Sequence, residues 1–257
     1  MNAQMQKVAG IEVWCLEDGS TTFDTKTFPD VSKDECRQRL EAMGQSEIET
    51  AFNAYLLRHP DGRLDLIDTG CGQHFGPNAG RLPSLLNDFG ITAADISNIY
   101  MTHLHSDHAG GLVVDNTAAY PNARLFLHPD ELETFKDNPD IAGLQDLYST
   151  TMIADGDVLP GDLTVWGLPG HTPGHVGFWI GDEFAFVGDI LHSYALQLPD
   201  MQLCSIYDMD PAIAIETRNA ALTLLAQRGC VWTGSHAVGP KFMRAEADQN
   251  GFAIVSA

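Results

Sequence analysis

The segment Thr102-His103-Leu104-His105-Ser106-Asp107-His108-Ala109-Gly110-Gly111 gathers three histidines and one aspartate within six positions. Neutral imidazole nitrogen and carboxylate oxygen together suit zinc and similar first-row divalent ions, and an all-N/O set with an open position is the catalytic kind. His103 and His105 stand two apart, so in an extended or tightly turning segment both rings point to one side, while Asp107 and His108 round the bend. One short loop can thus serve two adjacent cations. The plain alternative is a fortuitous histidine-rich turn on the surface, and the surroundings of the motif speak against it.

Residues 98–101 form a short apolar, β-favouring run that feeds the motif, and 109–112 is small and compact enough to start a helix beneath it. Further ligands should stand at the ends of other strands. Three candidates do: His171 in Pro169-Gly170-His171-Thr172-Pro173-Gly174-His175, Asp189 in Phe186-Val187-Gly188-Asp189, and His236 in Thr233-Gly234-Ser235-His236. They follow the apolar stretches 163–168, 184–187 and 230–232, and a glycine one or two residues ahead of each lets the backbone turn sharply towards an ion. Seven such ligands are too many for one tetrahedral ion, so two are expected.

The elements that must position these residues read as strands at 11–16, 51–57 and 64–67, the last two joined through the turn His59-Pro60-Asp61-Gly62. A helix is predicted over 33–43, another over 82–89 ending at Gly90, and a strand over 125–127 leads to a helix starting at Pro129. Asp210-Pro211 opens a helix whose apolar positions Ile213, Ala220 and Leu224 carry it to Gly229. The polar stretch 21–50 is either an arm over the site or an oligomer contact. Strands and helices alternate in two blocks, which predicts one α/β unit over 1–257, an αββα sandwich with the metals in the cleft along one edge.

Composition is that of a globular catalytic protein: 257 residues, 44% hydrophobic. Lys+Arg 14 against Asp+Glu 35 gives a net charge of -21, which repels a phosphate backbone and argues against nucleic acid as partner. The five cysteines, Cys15, Cys36, Cys71, Cys204 and Cys230, are scattered and form no CxxC pair. A reduced, cytoplasmic compartment is the simplest inference. Residues 1–10 have no apolar core of signal-peptide length and no stretch is long enough to span a membrane, so no membrane partner is expected.

The ordered set His103, His105, Asp107, His108, His171, Asp189, His236 resembles the metallo-β-lactamase fold superfamily, from about Ile11 onward. Asp68-Thr69-Gly70 is similar to that family's early strand-end aspartate, which supports the metal site from behind. A narrower likeness, carried by Phe75-Gly76-Pro77-Asn78-Ala79-Gly80-Arg81-Leu82-Pro83, by the histidine motif and by Arg244-Ala245-Glu246, is to the branch with methyl parathion hydrolase, lactonases and arylesterases. The resemblance implies two central mixed sheets flanked by helices. It implies one metal on His103, His105 and His171, another on Asp107, His108 and His236, and Asp189 bridging them with a shared hydroxide as nucleophile. The ions are expected to be zinc, with manganese, cobalt or iron as alternatives according to supply. Asp107 is a ligand that either also shuttles a proton to the leaving group or does not.

The implied activity is hydrolysis of a lactone or a related aryl ester, with phosphotriester hydrolysis as the alternative and a non-catalytic metal-binding regulatory or scaffold role as the second. A glyoxalase II type thioesterase would bring basic residues for its acidic thiol substrate, and only Lys241 and Arg244 are available. Flavodiiron proteins would have glutamate where His105 stands, and many β-lactamases carry a cysteine ligand where Asp189 stands. Phe75, Phe135 and Tyr194 are expected to form an apolar wall, and His192 with Tyr194 to line the pocket or donate to an oxyanion. His175 is expected to brace the loop, Cys71 to be a small buried residue, and His59, His74 and His128 to be loop or helix-start residues. Homodimerisation is implied by the resemblance alone.

Overall fold

The computed structural model describes residues 3–141, 143–248 and 251–257. In chain order its elements are β1 (Ala3–Val8), β2 (Ile11–Phe23), α1 (Lys33–Ala42), β3 (Ile48–Arg58), β4 (Leu64–Ile67), α2 (Leu82–Asp88), β5 (Ile96–Tyr100), α3 (Ser106–Ala109), β6 (Val113–Val114), β7 (Thr117–Ala118), β8 (Arg124–Leu127), α4 (Pro129–Thr134), α5 (Leu144–Leu147), β9 (Ser149–Met152), β10 (Val158–Leu159), β11 (Leu163–Gly167), β12 (Val176–Ile180), β13 (Phe184–Phe186), α6 (Tyr194–Gln197), α7 (Pro211–Arg228), β14 (Val231–Thr233), β15 (Met243–Asp248) and β16 (Gly251–Ser256).

Two large sheets result. The first has the order β1-β2-β3-β4-β5-β8-β9 and the second runs β10 to β16, with β6 and β7 forming a small ribbon of their own. Both are mixed: β4, β5, β8 and β9 pair in parallel, as do β13 and β14, and the remaining pairs are antiparallel. Side chains alternate across each strand, so β3 sends Tyr55 and Leu57 between the sheets and Ala54 and Leu56 to the outer face. Between the sheets Val13, Ile67 and Tyr100 meet Val165, Phe178 and Phe186. Leu82 and Leu86 of α2 cover the outer face of the first sheet, and Ala221, Leu222 and Leu225 of α7 cover that of the second. The layers are therefore helix, sheet, sheet, helix, as the sequence predicts.

Local chemistry sets the element ends. Asp210 caps α7 by accepting from Ile213 N at 3.1 Å, Pro211 occupies the first turn, and Gly229 ends the helix in the left-handed region at φ 59°. The helix expected at 109–112 lies earlier, at Ser106–Ala109. The chain leaves it at Gly110-Gly111 because the backbone there runs against residues 69–71, with Gly111 N donating to Gly70 O at 3.2 Å.

Of residues 21–50, 21–23 and 48–50 pair with each other as the ends of β2 and β3, and the stretch between them packs on this same chain. Phe28, Val31, Cys36 and Leu40 pack on Ala195, Leu196 and Leu203, and Arg39 donates to Leu196 O at 2.9 Å. None of the helices is long and apolar enough to cross a membrane among the described residues. All five cysteines are buried and free.

Candidate metal centre

The candidate ligands converge where strands end. The loop after β5 presents His103 and His105 and then Asp107 and His108 from α3; His171 stands between β11 and β12, Asp189 just after β13, and His236 just after β14. At Gly188 the left-handed φ of 53° and the nearness of the His175 ring, which a Cβ would strike, leave room only for glycine. That turn aims Asp189 into the cluster.

Among the described residues three groups of donor atoms form, the third of which, His171, Asp189 and His192, overlaps the first two that hold the seven candidates. His103 Nε2, His105 Nδ1 and His171 Nε2 lie 3.0, 2.9 and 3.2 Å from one another. Three ring nitrogens this close cannot satisfy each other by hydrogen bonds alone, and the space among them suits a cation. The second group is Asp107, His108, Asp189 and His236, with donor atoms within 4.8 Å of one another. Asp189 Oδ2 belongs to both: it lies 2.8 Å from His236 Nε2 and 3.2 Å from His108 Nε2, and 3.5 and 3.7 Å from the Nε2 atoms of His171 and His103. Asp189 Oδ1 and His108 Nε2 are buried without a hydrogen-bond partner. These orphaned donors fit a pair of divalent cations with Asp189 between them.

The far side of the cluster is braced. His103 Nδ1 lies 3.0 Å from Thr102 Oγ1, His171 Nδ1 lies 3.1 Å from Asp208 Oδ1, and His108 Nδ1 lies 2.8 Å from Asp68 Oδ2. His236 Nδ1 lies 2.9 Å from Ala51 O. Such contacts hold the tautomer and orientation of ligating rings. Asp68 also accepts from Thr102 N and Oγ1, each at 2.8 Å. His175 accepts from Asp189 N at 3.0 Å and its Nδ1 lies 2.8 Å from Leu168 O; burial pushes its imidazole down to about 4, so it acts neutral.

Three bracing residues carried no local signature in the sequence. Glu131 of α4 is fully buried and accepts from Leu104 N at 2.9 Å, Thr172 Oγ1 at 2.6 Å and Gly174 N at 2.9 Å, which ties the two ligand loops together. Asp208 meets the guanidinium of Arg218, itself fully buried on α7, at 3.2 Å. Burial pushes the Asp208 carboxyl up, but the His171 bond, His192 and Arg218 outweigh it and hold it well below the usual carboxylate range.

Electrostatics divide the two groups. Burial, with His171 next, pushes His105 down to about 3, and burial with His108 lowers His103, so both rings present lone pairs. Burial also pushes His108 and His236 down, but Asp189 and Asp107 outweigh it and raise both. Protons on those rings stand in for cationic charge, so metal uptake must displace them and tightens as pH rises. Elemental analysis of metal-replete protein is expected to find close to two divalent ions per chain; a value near one would leave the bridging position of Asp189 without support.

A cavity of about 200 Å³ opens on the cluster, lined by His105, Asp107, His171, Asp189, His192 and His236 together with Phe23, Phe52, Phe75 and Tyr207. Phe75 and His192 are thus among its lining residues. Phe135 and Tyr194 are not. Phe135 packs its edge on the His105 ring, 5.2 Å between centroids, and leans on the core instead of the cavity. Tyr194 begins α6, where its ring stacks on Trp232 at 6.0 Å and its hydroxyl is buried. Phe23, Phe52 and Tyr207 replace them, brought in by the end of β2, by β3 and by the loop before α7. Of the remaining histidines, His59 is buried against Asp65 at 2.8 Å, His74 faces Asp140 at 3.6 Å, and His128 caps α4. Cys71 is buried, as expected.

The family model described as the metallo-beta-lactamase superfamily matches residues 51–229. Hydroxyacylglutathione hydrolase of Vibrio parahaemolyticus is 32% identical over 149 residues, 56% of this chain and 49% of that protein. Its counterpart in Shewanella baltica is 35% identical over 100 residues, 38% of this chain and 35% of that protein. The chain spans about half the length, or less, of these curated relatives. Among solved structures, AidC, a dizinc quorum-quenching lactonase in complex with a product, is 25% identical with a TM-score of 0.89, covering 100% of this chain and 97% of that one. The hydrolase AbOPH shares the fold, with 24% identity, a TM-score of 0.88 and the same coverage. With the sandwich of two mixed sheets and a family match over most of its length, the chain belongs to the metallo-beta-lactamase superfamily.

Proposed function

We propose that this protein hydrolyses lactones and related carboxylic esters at a two-metal centre held by His103, His105, Asp107, His108, His171, Asp189 and His236. The observation that carries the reading is the cavity wall: Phe23, Phe52, Phe75 and Tyr207 face the cluster, and neither lysine nor arginine is among the lining residues. Divalent cations in the two ligand groups would polarise a carbonyl oxygen and acidify a coordinated water, so no serine or cysteine nucleophile is needed. Zinc suits the donor set, and the dizinc lactonase that this chain resembles supports it.

The chain's own groups do the rest. His192 lines the cavity with its Nε2 free of hydrogen bonds, while its Nδ1 lies 3.3 Å from Ser205 Oγ. Ser205 Oγ accepts from Tyr207 N, and in the tautomer proposed here it donates its own proton to His192 Nδ1. His192 then carries its proton on Nε2 and donates it to the carbonyl oxygen as negative charge develops there. Asp107 borders the cavity, where its carboxylate takes the proton that the attacking water gives up and hands it to the leaving oxygen. The aromatic wall holds the acyl or aryl group.

A hydroxyacylglutathione-type thioester fits less well, because it presents carboxylates to a wall without free cations. Lys241 is buried and donates to Glu17 Oε2 at 2.8 Å, Asn53 Oδ1 at 2.9 Å and Ala237 O at 2.7 Å, and Arg244 donates to Gly229 O. Matched kinetics on dihydrocoumarin, an N-acyl-homoserine lactone, methyl parathion and a glutathione thioester test the reading. The carbonyl esters are expected to show the higher kcat/KM, because a planar carbonyl becoming tetrahedral fits a small cavity better than a phosphorus already bearing three substituents. A preference for the phosphotriester or the thioester would reverse it.

A further inference from the structure

We infer that Asp18 is a positioning residue for substrate selection: its buried carboxylate clasps the neck of loop 72–80 and thereby seats Phe75 in the cavity wall. The inference rests on the ester reading above for its substrate, but the clasp itself is read from the geometry. In the β2–β3 pairing Glu17 faces Asn53 and Gly19 faces Phe52, so Asp18 is the extra residue of a β-bulge. Bulges re-aim a side chain out of the regular alternation. Asp18 is fully buried, and it takes part in no ion pair among the described residues.

Its partners are backbone amides from both sides of one loop. Oδ2 accepts from Cys71 N at 2.9 Å and from Gly80 N at 3.0 Å, and Oδ1 accepts from Leu82 N at 2.6 Å. Its own carbonyl accepts from Arg81 N at 3.1 Å. Between these anchors residues 73–78 are largely exposed, and the loop crosses itself where a Cβ on Gly80 would strike Gly72 O. At the tip Phe75 packs on Phe52, 4.9 Å between centroids, and Phe52 in turn lies 6.0 Å from the His236 ring. On its other side Gln73 and Gly80 border a separate apolar cavity of about 610 Å³. The loop is therefore a partition, and one carboxylate that nothing else neutralises holds its base shut. A carboxylate accepts at several sites, whereas an amide in its place turns two N–H donors against the same backbone donors.

Asp18→Asn is the test, with Phe75→Ala and the double variant beside it, read by amide exchange and by kcat/KM on N-butanoyl- and N-decanoyl-homoserine lactone. In the unmodified protein the amides of Cys71, Gly80 and Leu82 are expected to exchange slowly although residues 73–78 exchange fast. Asp18→Asn should speed exchange across 73–80 by about 10-fold or more. It should keep the metal content and lower the decanoyl-to-butanoyl ratio of kcat/KM by up to about 10²-fold, mainly through KM. Phe75→Ala should lower that ratio similarly, and the double variant should fall no further than Phe75→Ala alone. Fast exchange at Gly80 and Leu82 in the unmodified protein, or an equal loss on both lactones in Asp18→Asn, would overturn the inference. If the unmodified protein turns over no ester, the ester reading fails while the exchange measurements still decide whether Asp18 is the clasp.

Discussion

Asp189→Ala and His105→Ala are each expected to lose metal and activity together, with kcat/KM falling by at least ~10³-fold, since groups that act as one catalytic unit cost about 10⁴ to 10⁶ when any member is removed. Asp189 Oδ2 lies within 3.7 Å of ring nitrogens on His103, His108, His171 and His236, so its loss takes the anion from both ligand groups at once. His105 is one of three nitrogens in the first group and its loss should empty that group alone. His128→Ala is the matched control: its ring accepts from Asp130 N at 3.3 Å as the cap of α4 and belongs to neither group. Its cost should be about 1 kcal/mol of stability, with metal content and rate retained. Elemental analysis beside kinetics checks all three. An Asp189→Ala protein that keeps two metals and full rate would sink the proposed ligand assignment.

The second large effect is expected behind the ligand cluster, at Arg218, which meets the Asp208 that braces His171. Its guanidinium donates to Ile190 O at 2.7 Å and to Met201 O and Leu203 O at 3.0 Å each, besides Asp208. Arg218→Met leaves Asp208 buried without its guanidinium and takes the donor from Ile190 O and Met201 O, whereas Leu203 O keeps its bond from Gln197 Nε2. Removing one partner of such a pair costs about 3–5 kcal/mol, which at this size lowers Tm by roughly 6–20 °C. Asp208→Asn should be milder in stability but should weaken metal binding by ~10- to 100-fold, because it loosens the hold on His171 Nδ1. Thermal denaturation of metal-loaded protein and chelator competition separate the two effects. An Arg218→Met protein as stable as its parent would show that the network contributes nothing to the fold.

Much of the centre is legible in the chain because its signals are local. His103, His105, Asp107 and His108 sit in one turn, and His171, Asp189 and His236 each follow an apolar run that becomes a strand, with glycine where the backbone must bend. The cap at Asp210 and the stop at Gly229 are likewise written within a few residues of the helix they bound. Hydrophobic periodicity and turn chemistry are short-range rules, and they determined the strands that lead into the candidate ligands and the layer order, whereas β1, β9, β12, β15 and β16 are not among the strands they predict.

The tertiary structure alone decided what surrounds those donors. Phe23 and Tyr207 approach each other to 5.7 Å across most of the chain, and Asp208, Arg218 and Glu131 act on ligands or loops dozens of residues away. Phe135 and Tyr194 illustrate the limit from the other side: Tyr194 follows Asp189 closely in sequence and Phe135 has the aromatic character of a wall residue, yet side-chain direction turns them onto Trp232 and His105. Asp18 is the sharpest case: a bulge set by pairing with β3 turns its carboxylate towards a loop more than fifty residues on. Such contacts depend on how two sheets pack and which way each side chain leaves its strand, and no local pattern encodes that.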